Sequence, residues 1–215
     1  MKVMRLRSAL QTAGLALVFL VAGRADNGFA GPASNQQIQA KLTYCKTCHG
    51  LSGQGFRGYF PIPRLAGQQT QYIENQLRAF IEHRRTNPVM LNVTHGLRPW
   101  MIPVLAGQFK NLHPGPLGGA PKASIAFGRK IFEEGLPDSN VPACFACHGP
   151  DAKGHNEIPR LAGQVYWYTV KALTSWTKER GHGSAKDLSA IMVPTTHNLT
   201  HSEVEAVAAY LSYLK

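Results

Sequence analysis

Apolar residues recur with one helical spacing in two stretches of the chain: Ile102, Leu105, Ala106 and Phe109, and again Val204, Val207, Ala208 and Leu211. Spacing of i, i+3, i+4 and i+7 puts each set on one face, so both stretches predict amphipathic helices with a buried stripe. Thr200 with Glu203 predicts a capping box at the start of the second helix, and Pro99 takes the corresponding first-turn position ahead of the first. Two more helices are predicted from Asn35 to Tyr44 and from Ser124 to Glu134. In them Ala40 stands one turn before Tyr44, and Gly128 one turn before Phe132. A small residue below an aromatic lets helices approach closely, so each leading helix is expected to cross the closing helix of its own half. No alternating run is long enough for a strand, and the chain is read as all-α.

The pattern is duplicated. Ile62-Pro63-Arg64-Leu65-Ala66-Gly67-Gln68 returns unchanged as Ile158-Pro159-Arg160-Leu161-Ala162-Gly163-Gln164. Tyr72 matches Tyr168, Leu77 matches Leu173 and Arg84 matches Arg180. Further on, Val89-Met90, Thr94-His95 and Leu97 match Ile191-Met192, Thr196-His197 and Leu199 at an offset of 102 residues. A Pro- and Gly-rich run from Asn111 to Ala123 separates the copies. The expected organisation is residues 1–30 as a targeting signal, a domain over 31–112, a linker over 113–122 and a second domain over 123–215. The second copy also has an extra loop, Gly135 to Pro142.

The targeting reading rests on Lys2, Arg5 and Arg7 ahead of an apolar run from Ala9 to Ala22, with small residues near Ala25 and Ala30 for cleavage. That run is short for a membrane span. The mature protein is therefore expected to be soluble in a bacterial periplasm, with an uncleaved anchor as the alternative. Net charge is +11 for the whole chain, and residues 31–118 carry nine basic and two acidic side chains against ten and nine in residues 119–215. Such asymmetry steers an acidic redox protein toward the first half. The basic residues are dispersed and lack any nucleic-acid-binding signature, so nucleic acid is not expected as a partner.

The chemistry sits in Cys45-Lys46-Thr47-Cys48-His49 and Cys144-Phe145-Ala146-Cys147-His148, which use all four cysteines of the chain. Two thiols can bond the vinyl groups of a haem while the adjoining imidazole coordinates its iron. A four-thiolate zinc site or redox dithiol is the competing reading. Zinc ribbons bring their pairs much closer in sequence, and neither alternative requires the histidine. Two covalently attached haem c groups are thus expected, and each domain of about 80 residues would be marginal without one.

The sixth ligand decides what such an iron can do. Met90 and Met192 are the methionines that match between copies, lying 41 and 44 residues beyond His49 and His148. Thioether ligation closes the iron and raises its potential, which suits electron transfer on the oxidising side of a respiratory chain. Met101 is a rival with no matching methionine, and His95 and His197 are matched rivals that would instead hydrogen-bond the methionine loop. The carbonyls of Pro63 and Pro159 are expected to accept the second ring proton of the ligand histidines. Arg64 and Arg160 are expected to pair with haem propionates, and Tyr72 and Tyr168 to hydrogen-bond to them. His83, His113, His155, His182 and His201 are read as surface residues.

With Cys-x-x-Cys-His, Pro-Arg-Leu-Ala-Gly-Gln, a methionine loop and a closing helix all present twice, the chain resembles the dihaem cytochrome c4 family. That resemblance implies two tandem class I cytochrome c domains, each enclosing one covalently attached haem and related by a pseudo-twofold. It implies His49, Met90, His148 and Met192 as axial ligands and Cys45, Cys48, Cys144 and Cys147 as covalent anchors. The function it implies is a periplasmic electron carrier, not an enzyme. Its donor would be a dehydrogenase or quinol-oxidising complex and its acceptor a terminal reductase or membrane-bound oxidase. The alternatives are a cytochrome subunit of a larger oxidoreductase and a dihaem peroxidase, the latter disfavoured because both copies are treated alike.

Overall fold

Why the first leading helix outruns its predicted end is clear from its residues: nothing between Ala40 and His49 breaks a helix. In a computed structural model, which describes residues 32–180 and 187–215, α1 spans Pro32–His49 and carries the whole first Cys-x-x-Cys-His segment. It ends at Gly50, whose φ of +87° suits a residue without Cβ. The proposed targeting segment and His182 lie outside the described residues. α2 (Thr70–Ile81), α3 (Pro88–His95) and α4 (Met101–Lys110) complete the first domain. In the second, α5 (Ile125–Glu134) stops at Gly135, and a loop intervenes before α6 (Phe145–His148) presents the second motif. α7 (Tyr166–Thr174), α8 (Trp176–Glu179), α9 (Met192–Thr196) and α10 (His201–Tyr213) follow. Among the described residues there is no strand, only three isolated bridges, and no helix is long and apolar enough to cross a membrane.

Both predicted stripes are buried, Ile102, Leu105, Ala106 and Phe109 on α4 and Val204, Val207, Ala208 and Leu211 on α10. Thr200 and Glu203 form the capping box, each satisfying a backbone N–H of the other's residue. The helix crossing is as predicted in the second domain. A Cβ on Gly128 would lie 1.9 Å from the Ala206 carbonyl oxygen of α10, and Phe132 is fully buried against Tyr210. In the first domain α1 also packs on α4, but not through the predicted pair, since Ala40 and Tyr44 are exposed. There α1 packs through Ile38 and Leu42 onto Met101, Leu105 and Phe109. Two branched aliphatics on one face bury more apolar area than a lone alanine, so they set the rotation of α1.

The two domains are joined by a pair of reciprocal clasps made from the repeated heptapeptide. Gln164 Oε1 accepts from the Arg64 N–H at 2.7 Å and its Nε2 donates to the Arg64 carbonyl at 3.2 Å. Gln68 does the same to Arg160, at 2.7 and 3.0 Å. Each glutamine thus supplies one rung of an antiparallel pairing to the other domain's backbone. Residues 111–121, which hold no helix, are tied to both sides. Pro114 and Gly115 offer carbonyls to Arg64, and Tyr213 donates to the Ala120 carbonyl.

Replacing Gly128 by valine is expected to destabilise the holoprotein by about 3 kcal/mol, because the collision is with backbone rather than a movable side chain. Ala40→Leu, on the exposed face of α1, is expected to change stability by no more than about 0.5 kcal/mol. Urea unfolding followed by far-ultraviolet circular dichroism separates the two.

Candidate haem sites

His49 closes α1 and His148 closes α6, and both are buried although neighbouring Cys48 and Cys147 are exposed. His49 Nδ1 stands 2.9 Å from the Pro63 carbonyl and His148 Nδ1 stands 3.0 Å from that of Pro159. A carbonyl only accepts, so each Nδ1 carries the proton and each Nε2 keeps its lone pair. Burial pushes both imidazoles below their ordinary pKa, against the opposing pull of the proline carbonyls. The ring is thereby a neutral, oriented donor, which is what coordination to iron requires.

All four thiols are unpaired. Burial pushes Cys45 up and Cys144 up to about 11, the opposite of the depressed pKa that a redox dithiol uses. Among the described residues no group of three or more His, Cys, Asp or Glu side chains converges as a metal site, so the two cysteine pairs do not meet as a four-thiolate zinc centre. The donor set in each domain, two free thiols one turn apart and a buried imidazole with Nε2 available, fits a covalently attached haem c.

The methionines stand at matched places. Asn87, before Pro88 at the first turn, caps α3 by accepting from the Met90 N–H at 3.1 Å. Ahead of Met192, Asp187 caps a short 3-10 turn over Leu188–Ile191 by accepting from the Ser189 N–H at 3.0 Å, and α9 begins at Met192 without a side-chain cap of its own. Thr94 and Thr196 donate back to the Met90 and Met192 carbonyls at 2.8 and 2.6 Å. Both methionines are half-buried, while Met101 is packed in the first core with Leu105 and Ile73. His95 and His197 are exposed, and His197 Nδ1 lies 3.1 Å from the Pro194 carbonyl in the methionine loop. Asn before Pro is a cap signal readable in the sequence, but it has no counterpart in the second copy and so leaves no mark in the repeat. His83, His113, His155 and His201 are exposed.

The arginines and tyrosines have partners within the protein. Arg64 is buried and spends Nε, Nη1 and Nη2 on the carbonyls of Ala66, Gly115 and Pro114. Burial, then Arg160, pushes its guanidinium down to about 10, so it stays charged at neutral pH. Arg160 Nε donates to the Ala162 carbonyl. Tyr72 meets an arginine of the other domain, and Tyr168 meets one from each domain. Arg180 donates to Tyr72 at 3.0 Å and to Tyr168 at 2.6 Å, and Arg85 donates to Tyr168 at 3.0 Å.

That cluster corrects the alignment of Arg84 with Arg180. Arg85 lies 4.6 Å over Phe80 as Arg180 lies 4.6 Å over Trp176, so Arg85 is the counterpart of Arg180. Arg84 instead pairs with Glu82 and, across the junction, with Asp187. One residue fewer between aromatic and arginine hides this from an ungapped comparison. Among the described residues no carboxylate lies within salt-bridge distance of Arg64, Arg85, Arg160 or Arg180, and the Arg85 Nε is buried without a partner. Four cations at one junction want anions.

The family profile for cytochrome c matches the chain twice, at residues 36–106 and 125–215. The chain belongs to the cytochrome c family. It is similar to cytochrome c-552 of Acidithiobacillus ferridurans, 34% identical over 203 residues, which are 92% of this chain and 84% of that protein. It is also similar to the thiosulfate dehydrogenase electron acceptor of Thiomonas intermedia, 32% identical over 189 residues, 86% and 84% of the two chains. The solved structure of cytochrome c4 from Acidithiobacillus ferrooxidans superposes with a TM-score of 0.70 at 35% identity, covering 80% of this chain and 99% of that one. Within its family this chain is thus a two-domain cytochrome of the c4 kind, a dihaem electron carrier whose cysteine pairs suit two covalently attached haem c groups.

Burial pushes the Asp187 carboxyl up, but the Ser189 N–H and the Arg84 guanidinium outweigh it and hold the group below the usual carboxylate range. Its contribution to stability is therefore present above the unfolded value of about 4 and is lost as pH falls through the lower folded one. Asp187→Asn is expected to lower the urea midpoint of the holoprotein at pH 7 and to leave it unchanged well below pH 4.

Proposed function

We propose that this cytochrome works in the periplasm, exported by residues 1–30, with His49 and Met90 as the axial pair of one haem and His148 and Met192 of the other. The observation that carries this reading is the matched scaffold: each histidine on a proline carbonyl, each methionine in the first turn of a short helix with its carbonyl accepting from a threonine four residues on. Bound there, haem iron would supply a one-electron couple, and a histidine and a methionine holding it would keep it closed to substrate. The chain's residues orient those ligands, exclude water from the histidines and set the surrounding charge. The arginine-rich junction suits the carboxylates of haem propionates, with Arg180 and Arg85 joining Arg64 and Arg160. Tyr72 and Tyr168, whose hydroxyls accept from arginine, keep their own O–H to donate.

Electrons would pass by outer-sphere transfer from a dehydrogenase or quinol-oxidising complex to a terminal oxidase or reductase. The relative named as a thiosulfate dehydrogenase electron acceptor favours a dehydrogenase as donor, and it also supports the second reading, a cytochrome held as a subunit of such an enzyme. Docking of an acidic partner on the first domain needs other residues than Arg84 and Arg85, which are engaged at the junction. Arg78, Arg98 and Lys110 are exposed and available.

The oxidised holoprotein is expected to show the weak methionine-sulfur to ferric-iron absorption band at a strength of two per chain, halved by Met90→Ala or by Met192→Ala. No band in the parent would overturn the ligand assignment. Neutralising Arg78, Arg98 and Lys110 together is expected to slow electron transfer to an acidic redox protein by about tenfold at low salt and to flatten its dependence on ionic strength. Stopped-flow rates across a salt series measure both.

A further inference from the structure

The peptide group that receives each histidine proton is also the one gripped by the other domain. The Pro63 carbonyl accepts from His49 Nδ1 at 2.9 Å, and the N–H of that same peptide unit, on Arg64, donates to Gln164 Oε1 at 2.7 Å. The mirror image runs from His148 Nδ1 through the Pro159 carbonyl, at 3.0 Å, to the Arg160 N–H and Gln68 Oε1 at 2.7 Å. Both glutamines are buried. Their amide orientation is settled by their partners, since Gln164 Oε1 also accepts from the Val165 N–H at 2.9 Å and Gln68 Oε1 from the Gln69 N–H at 3.0 Å. An oxygen alone can accept both donors.

A peptide unit is conjugated, so drawing on its N–H places more negative charge on its oxygen. Hydrogen bonds strung through such a unit strengthen one another. A better carbonyl acceptor makes the histidine a stronger donor to iron, and outer partners of this kind tune the metal they never touch. We infer that Gln164 tunes the haem of the first domain and Gln68 that of the second, so each reduction potential is set partly from across the domain junction. Gln164 and Gln68 are positioning residues, acting through Pro63 and Pro159. Any change in how the domains seat then moves both potentials, which ties the redox behaviour of the pair to its docking.

This inference rests on His49 and His148 as iron ligands. The test is a redox titration of the holoprotein, with the haems told apart by Met90→His, which is expected to lower the first-domain potential alone. If Met90→His changes neither spectrum nor potentials, the assignment of Met90 as ligand fails, and the haems are told apart instead by the paramagnetically shifted proton resonances of each domain. Gln164→Leu is expected to raise the first-domain potential by roughly a two- to fivefold change in that haem's reduction equilibrium, about 20 to 40 mV at 59 mV per tenfold, with the second haem unmoved. Gln68→Leu is expected to do the converse. Gln164→Glu keeps the acceptor and adds negative charge, and is expected to lower the first-domain potential, which keeps the test decisive should the leucine variant fold poorly. Thr86→Val removes another contact of the junction, from Thr86 Oγ1 to the Lys178 carbonyl, without touching either clasp. Equal shifts of both haems in Gln164→Leu, the same shifts in Thr86→Val, no shift at all, or a rise with Gln164→Glu would each overturn the inference.

Discussion

A histidine at a helix end can face an iron only if its other nitrogen is pinned, and in this cytochrome one hydrogen bond, made twice, does the pinning. Its acceptor is the carbonyl before Arg64 or Arg160. Proline fixes φ at that point and removes a competing donor, and the next peptide N–H is taken by a glutamine from the other domain. The heptapeptide therefore serves two duties at once. Its proline end holds the buried histidine of its own domain, and its glutamine end reaches across to bond the same peptide unit of the other.

The arginines of the junction are held by groups other than carboxylates. Arg64 grips the connecting segment, while Arg85 and Arg180 lie on aromatic rings and share the hydroxyl of Tyr168. Planar guanidinium groups can be held by carbonyls, rings and hydroxyls in a way a lysine could not. Burial pushes the Tyr168 hydroxyl up in pKa, but Arg180 and Arg85 more than offset this and bring it below its ordinary value.

Much of the fold was legible because helices announce themselves locally. The stripes of α4 and α10, the Thr200 capping box and the Gly128 crossing depend on residues within one or two turns. The histidine to proline bonds were legible too, for they span 14 and 11 residues inside one repeat. Ala40 misled because a short motif was weighed without its competitors: Ile38 and Leu42 offered the larger apolar face. Arg84 misled by one position, because a comparison without gaps cannot see which arginine reaches a ring.

Read alone, the sequence determined two attached haems, two helical domains and the local scaffold of each site, since thiol spacing, helical period and proline stiffness are properties of short segments. Only the tertiary structure decided that Gln68 pairs with Arg160 and Gln164 with Arg64, partners 92 and 100 residues apart. It also decided that Tyr72 meets Arg180 of the other domain and that Tyr168 is shared between Arg180 of its own domain and Arg85 of the other. Such contacts depend on the relative seating of two bodies, which is set by the sum of many weak contacts over the whole junction and leaves no periodic mark along the chain.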